Sequence, residues 1–203
     1  MARALGVVCV VFGRVPMTEA ARRAKALGFD HVDVVGAPVD DLAVPIGDHL
    51  AFPGPRAGCT SPAPRKATGA WDDTVAAYRK IADARIEPWP GSILDSIGAC
   101  EEMLAAVPGL RLTVDTGHVA CWGEDPIALL PHAGHVQLRQ ARQGEPQTIE
   151  GDVDFARLLR RLDEIDYRGR LSVEYFDLPE MGWPLADPVA YALALAERIR
   201  SLG

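Results

Sequence analysis

The chain has 203 residues, of which 48% are hydrophobic and 24% are charged, and its formal net charge at pH 7 is -7. These values are typical of one globular domain with a sizeable core. Surfaces that bind nucleic acid or anionic membranes carry a basic patch, so the acidic balance argues against both partners and favours a small soluble substrate.

Apolar runs rich in β-branched residues alternate with helical patterns, which indicates parallel βαβ construction. The first strand is predicted at residues 6–12, and a helix follows from Thr18, its N-cap, to the stop signal Gly28. A second strand is predicted at residues 31–35. The apolar start resembles a signal peptide, but no A-x-A-like cleavage site follows it, so we interpret it as a buried strand.

Residues 36–70 interrupt the alternation, because they are rich in Pro and Gly and show no amphipathic helix. They leave room for one doubtful strand at residues 42–46. Beyond them the alternation resumes with strands at residues 85–88, 110–115, 134–139 and 170–175. The helices predicted here are residues 71–84, a helix with Ile93, Ile97, Cys100 and Leu104 on one face, residues 126–130, a helix opening at Asp154, and a terminal helix capped by Asp187.

Six clear strands and one doubtful strand suggest a barrel that is smaller than usual. A complete eight-unit barrel takes about 250 residues, or about 31 per unit, so this chain has length for about 6.5 units. We predict an α/β fold in which residues 1–203 form one shortened, TIM-like (β/α) barrel, with roughly one unit missing or degenerate between residues 36 and 70. An open doubly wound sheet is the alternative, but the Gly-rich phosphate motif that often accompanies it is absent from the sequence.

The cysteines point to a reducing compartment. They are widely spaced and form no C-x-x-C pair: Cys9, Cys59, Cys100 and Cys121. This spacing favours reduced thiols over a zinc knuckle or a disulfide framework. Apart from the first strand, no apolar run approaches the roughly 18 residues of a membrane helix. We therefore expect a cytoplasmic protein.

Four metal-capable side chains recur near the carboxyl ends of successive predicted strands, each about one βα repeat apart: Glu87, Asp115, Gln137 and Glu174. In a parallel barrel this end carries the active site. Three buried carboxylates repel one another unless a cation lies between them. Their oxygen-only donors favour Mg²⁺ or Mn²⁺, with Co²⁺ and Zn²⁺ as alternatives. The competing interpretation is that each acid is an isolated residue satisfied by a backbone amide or an arginine.

Other candidate residues follow these strands. His118 lies three residues beyond Asp115 and is a candidate to contact a ligand residue or a substrate hydroxyl, although a capped loop histidine is an equally good interpretation. Arg139 and Arg142 can neutralise an oxyanion or a phosphate, whereas an isolated loop arginine is usually solvated. Several aromatic residues can wall off a polar substrate or simply pack in the core: Trp89, Trp122, Tyr175, Phe176 and Trp183.

Five motifs together resemble the xylose isomerase-like barrel superfamily, especially its sugar phosphate isomerase/epimerase and hydroxypyruvate isomerase branches. In chain order they are I-E-P at 86–88, D-T-G-H at 115–118, H-V-Q-L at 135–138, G-D-V-D-F at 151–155 and Y-R-G-R-L-S-V-E at 167–174. The resemblance covers residue 71 to the C-terminus, with a weaker echo at residues 28–34. The sequence departs from the family at Gln137, where many relatives have His, and at Gln140, where many have Asp.

The resemblance implies one divalent ion held by the four metal-capable residues named above. It also implies that Glu87 and Glu174 act as acid and base on opposite faces of an enediolate. The substrate would contact His118, Arg142 and, as rings lining the pocket, Trp89 and Trp122. Because residues 36–70 are short, we expect one wall of the pocket to be open, differently filled or completed by a second subunit, and the last alternative predicts a homo-oligomer.

We therefore expect a metal-dependent isomerase or epimerase of a small sugar-like hydroxy-carbonyl compound. The alternatives are a metal-dependent dehydratase or lyase acting on a related polyol ketone, and a non-catalytic barrel that serves as a binding protein. An endonuclease of this superfamily would need additional histidines and a basic face, and the sequence has neither.

Overall fold

In the computed structural model, which describes residues 3–36, 40–52 and 54–203, eight parallel strands close into a barrel in chain order. The strands are β1 Leu5–Val8, β2 Val32–Val35, β3 Ile46–Leu50, β4 Thr60–Pro62, β5 Arg85–Glu87, β6 Arg111–Asp115, β7 Ala133–Leu138 and β8 Leu171–Val173. The last strand pairs with the first, with Leu5 opposite Leu171. All eight carboxyl ends therefore meet at one end of the barrel, as the βα alternation predicts.

Helices follow most of the strands: α1 Met17–Ala26, α2 Ala70–Tyr78, α3 Ile97–Ala106, α4 Thr116–Cys121, α5 Phe155–Glu164 and α6 Pro188–Leu202. Short 3₁₀ turns lie at Cys9–Phe12, Pro126–His132 and Pro179–Met181. The predicted caps Asp154 and Asp187 each accept a backbone N–H of the first turn. Within the described part of the chain, no helix has the length and apolarity needed to span a bilayer.

The barrel class predicted from the sequence is confirmed, but the strand count of six or seven was too low. The segment at 36–70 contains two strands, β3 and β4, and the doubtful strand expected at residues 42–46 lies at Ile46–Leu50 instead. What this segment lacks, among its described residues, is a helix after β2 and another after β3. Residues 37–39 and 53 lie outside the description. The barrel is therefore shortened by loss of helices rather than of strands.

Polar side chains fill the interior of the barrel, where branched aliphatic residues are usual. His135 Nε2 lies 2.7 Å from Asp33 Oδ2, and His31 Nε2 lies 3.0 Å from Ser172 Oγ, with all four side chains buried. Burial alone lowers the pKa of His135, but the Asp33 carboxylate outweighs burial and raises it. Such groups are tolerated because each is paired with a partner.

Two glycines make room for the His31 ring inside the barrel. A Cβ atom on Gly6 or on Gly47 would overlap that ring. Because no side chain fits beside the ring at these positions, the polar interior depends on both glycines as well as on its hydrogen bonds.

Candidate metal and active site

Three carboxylates meet at the carboxyl end of the barrel. Glu87 is the last residue of β5, Asp115 is the last residue of β6, and Glu174 directly follows β8. Each is at most 5% exposed. Glu87 and Glu174 line a cavity of about 300 Å³ that opens at this end. The structure thus brings the three predicted acids to one place, and β5 and β8 put the two glutamates on different sides of the barrel.

Both oxygens of Asp115 already have hydrogen-bond donors. Its Oδ1 accepts the backbone N–H groups of Gly117, at 2.7 Å, and His118, at 3.2 Å, so this carboxylate caps α4. Its Oδ2 accepts a hydrogen bond from Arg139 Nη2. Asp115 is therefore both a structural cap and the partner of a buried cation.

Arg139 lies at the centre of the site, although the sequence analysis favoured a solvated loop arginine. Its side chain is fully buried, and its guanidinium carbon lies 4.7 Å from the centre of the Phe176 ring. Its backbone N–H and C=O are each bonded to Thr116 Oγ1 at 2.8 Å. One signal could have predicted this position: Arg139 is two residues beyond Gln137, and alternate residues of a strand share a face.

The charged groups of the site interact strongly because they are buried. Burial raises the pKa of Glu87 to about 8, and the neighbouring charge of Asp115 adds to the rise. The pKa of Glu174 is raised well above its usual range by the same two causes. Burial also acts to raise the pKa of Asp115, but Arg139 and then His118 outweigh it, and the pKa is lowered. In the absence of another cation, burial therefore disfavours the charged forms of Glu87 and Glu174, whereas the charged form of Asp115 is favoured and accepts a hydrogen bond from Arg139.

His118 presents an unprotonated nitrogen to the site. Its Nδ1 lies 3.0 Å from the carbonyl oxygen of Pro88, and since a carbonyl only accepts, Nδ1 carries the proton. Its Nε2 is buried and has no hydrogen-bond partner among the described residues. Burial lowers the pKa of His118 to about 4, so the ring is neutral at physiological pH. His118 therefore offers a hydrogen-bond acceptor to a ligand.

The donor set fits a divalent cation. Glu87, Asp115 and His118 each have a possible ligand atom within 4.8 Å of the others. Gln137 lies opposite Asp115 in the β6–β7 register, and neither polar atom of its buried amide has a hydrogen-bond partner in the described chain. Glu174 Oε2 is likewise buried without a partner. Buried polar atoms left unpaired in this way are unusual, and a divalent ion would take the two oxygens, Gln137 Oε1 and Glu174 Oε2, as ligands.

The other predicted contact residues divide into two groups. Trp89 lines the cavity beside His118 and donates its indole N–H to the carbonyl of Ala63. Arg142 is exposed, its backbone pairs with Glu145, and it does not line the cavity. Trp122, at the end of α4, does not line it either. Roles for Arg142 and Trp122 in substrate binding remain predictions.

The cavity wall also includes residues that the sequence analysis did not select. One is the last residue of β3 and the others come from the segments after β3, β4 and β8: Leu50, Phe52, Arg65, Leu178 and Met181. Phe52 and Met181 are unusually exposed for large apolar side chains. No motif marks these positions, because they became neighbours only through closure of the barrel.

Comparison with known proteins places this geometry in a family. No functionally curated protein matches the sequence significantly. Among solved structures, a xylose isomerase-like TIM barrel protein from Mycobacterium smegmatis in complex with magnesium superposes with a TM-score of 0.74 at 12% identity, covering 100% of this chain and 98% of that one. A 3-keto-D-glucoside 4-epimerase from E. coli gives 0.69 at 15% identity, covering 98% and 99%. A probable 3-DHS dehydratase from Bacillus anthracis gives 0.70 at 14% identity, covering 99% of each chain.

At these identities the solved structures support the fold alone. The family model described as xylose isomerase-like TIM barrel, however, matches residues 13–202, nearly the whole sequence. That span includes all three carboxylates, Gln137 and the seven strands from β2 to β8. The chain therefore belongs to the xylose isomerase-like TIM barrel family.

Proposed function

We propose that this protein is a divalent-metal-dependent isomerase or epimerase of a small, sugar-like hydroxy-carbonyl compound. In this proposal the ion, Mn²⁺ or Mg²⁺, is held by Glu87, Asp115, Gln137 and Glu174. The observation that carries the proposal is the pair of buried glutamates facing one cavity from β5 and from the end of β8. Sugar epimerases and a dehydratase occur among the solved structures that share the fold.

Two carboxyl groups on different sides of a bound substrate suit proton transfer next to a carbonyl. One glutamate removes the proton from the carbon beside the carbonyl, and the electron pair of the broken C–H bond moves toward the carbonyl oxygen to give an enediolate. The other glutamate returns a proton to the opposite face of the same carbon, which gives an epimer. A proton returned to the former carbonyl carbon gives an isomer, because the proton of the neighbouring hydroxyl then passes to the former carbonyl oxygen and a new carbonyl forms at the neighbouring carbon. A bound divalent ion supplies charge stabilisation for the enediolate oxygens.

The burial of Glu87 and Glu174 at one cavity supports these roles, because an acid or base must lie within reach of the proton that it transfers. His118 Nε2 would accept a hydrogen bond from a substrate hydroxyl. Trp89, Phe176 and Trp183 form aromatic walls that suit the C–H face of a sugar and exclude water.

Deuterium exchange tests the proposal before the substrate is known. We expect the protein, supplied with Mn²⁺ in D₂O, to introduce deuterium beside the carbonyl of at least one ketose, ketose phosphate or cyclic polyol ketone. Exchange should cease when the ion is removed by a chelator and return when Mn²⁺ is restored. Absence of exchange with every compound of the panel, in a protein that binds one of them, would favour the non-catalytic binding protein instead.

A dehydratase acting on a cyclic polyol ketone is the second candidate, and the apolar lining of the cavity favours it. Leu50, Phe52, Leu178 and Met181 leave few polar partners for the many hydroxyls of an open-chain sugar. A lyase would use the same base and then expel a hydroxide. Mass spectrometry of the product separates the two candidates, because only the dehydratase reaction releases water from the substrate.

A further inference from the structure

Arg139 occupies a position that the proposed metal site does not require. We propose that its guanidinium is a tethered cation that competes with the divalent ion for Asp115, so that metal binding requires Arg139 to leave this carboxylate. This inference rests on the metal site of the proposed function. Arg139 then balances the charge of Asp115 when no ion is bound. The site also binds the metal more weakly than it would without Arg139.

The competition is for one oxygen. Asp115 Oδ1 faces the first turn of α4, where it accepts the N–H groups of Gly117 and His118. Oδ2 accepts from Arg139 Nη2 and lies 3.6 Å from His118 Nδ1, another residue of the candidate site. An ion bound through Oδ2 must share or take over the lone pair that the guanidinium now uses.

The fold leaves a space that fits the Arg139 side chain. A Cβ atom on Gly117 would lie 2.6 Å from Arg139 Nε, so only glycine at that position leaves room for the side chain. Phe176 and Trp183 lie beside the guanidinium, with ring centres 4.7 and 6.0 Å from its central carbon. With the backbone clamped by Thr116, the guanidinium is directed into the acidic cluster rather than toward solvent.

Arg139 nevertheless binds Asp115 through a single hydrogen bond. A structural arginine usually binds a carboxylate through two parallel N–H groups, whereas Nε and Nη1 of Arg139 have no hydrogen-bond partner in the described part of the chain. Glu174 Oε2, also unpaired, lies 3.9 Å from Nη1 and offers a second carboxylate to a displaced guanidinium. Glu87 and Glu174 also add carboxyl oxygens to the cluster beyond the one that Arg139 binds, so the cluster has ligand atoms for a further cation.

The test compares Mn²⁺ affinity by isothermal titration calorimetry in the wild-type protein and in Arg139→Met. Removing one charge-assisted hydrogen bond to a ligand oxygen predicts that Kd falls about tenfold or more in the variant. Arg157→Met is the matched control, because Arg157 makes an Arg–Asp pair with Asp125 at 2.7 Å on the exposed surface. Its Kd should stay within about twofold of wild type, since exposed charges are screened.

Equal Kd values for wild type and Arg139→Met would overturn the competition while leaving the metal site intact. Failure of both proteins to bind Mn²⁺ would overturn the metal site and the competition together. If Arg139→Met does not fold, the displacement of Arg139 is tested on the wild-type protein instead. The NMR signal of the Arg139 Nε–H, assigned by its loss in Arg139→Lys, should shift during a Mg²⁺ titration, and an unchanged signal at saturation would refute the displacement.

Discussion

Replacing Glu87 or Glu174 by Gln is expected to lower the rate of deuterium exchange by about 10²–10⁴-fold, the usual contribution of a positioned acid or base. Glutamine keeps the size of the side chain and one oxygen that can bind an ion, but it carries no transferable carboxyl proton. Because both glutamates are buried at the same cavity, either replacement should remove one of the two groups that transfer protons. The loss should appear in the turnover rate more than in substrate affinity.

The measurement is made at Mn²⁺ concentrations that saturate each variant, which separates loss of proton transfer from loss of the ion. Glu145→Gln serves as the control, since Glu145 is an exposed glutamate in the loop after β7. It should exchange deuterium at the wild-type rate. Near-wild-type exchange in Glu87→Gln and Glu174→Gln would contradict the assignment of these two residues as acid and base.

Asp115→Asn is expected to destabilise the ion-free protein by about 3–5 kcal/mol, the cost of removing one partner of a buried ion pair. Asparagine can still cap α4 through its side-chain oxygen, so the loss isolates the charge of Asp115. Among the described ion pairs, the fully buried guanidinium of Arg139 would then keep the one with Glu174, whose Oε2 lies 3.9 Å from Nη1. Because the pKa of Asp115 is lowered, this stability is present above the ordinary Asp pKa and is lost as the pH falls through the lowered one.

Urea unfolding in the presence of a chelator measures this effect. Asp125→Asn is the matched control, because Asp125 also caps a helical turn, at Ile127, and pairs with an arginine, but on the surface. It should cost less than about 1 kcal/mol. An Asp115→Asn variant as stable as the wild-type protein would mean that the Asp115–Arg139 pair contributes little to the fold.

The strands of the barrel were predictable where their residues are apolar. β1, β6 and β7 lie in hydrophobic runs, and these runs identified them, although the strand predicted at residues 6–12 extends into the 3₁₀ turn Cys9–Phe12. β3 and β4 were missed or misplaced because they contain Asp48 and Thr60, buried polar residues that are bonded to each other rather than to water. A strand whose inward side chains are paired polar groups has no hydrophobic signal, so sequence periodicity cannot find it.

The acidic half of the site was predictable because a βα repeat places one residue at the end of each strand. Arg139 was predictable only in part: its strand face follows from Gln137, but its full burial depends on Phe176 and on the space beside Gly117. Those contacts join segments far apart in sequence. The apolar rim around Phe52 and Met181 had no signal at all, for the same reason.

The proposed metal site is tested most directly by the Mn²⁺ affinity of the Gln137→Leu variant. Both amide atoms of Gln137 are buried and unpaired in the described structure, so leucine should leave the ion-free protein as stable as wild type or more stable. If Gln137 is a metal ligand, the wild-type protein binds one Mn²⁺ per chain and the variant binds it at least about tenfold more weakly. A stable Gln137→Leu protein that binds Mn²⁺ as tightly as wild type would contradict the proposed metal site.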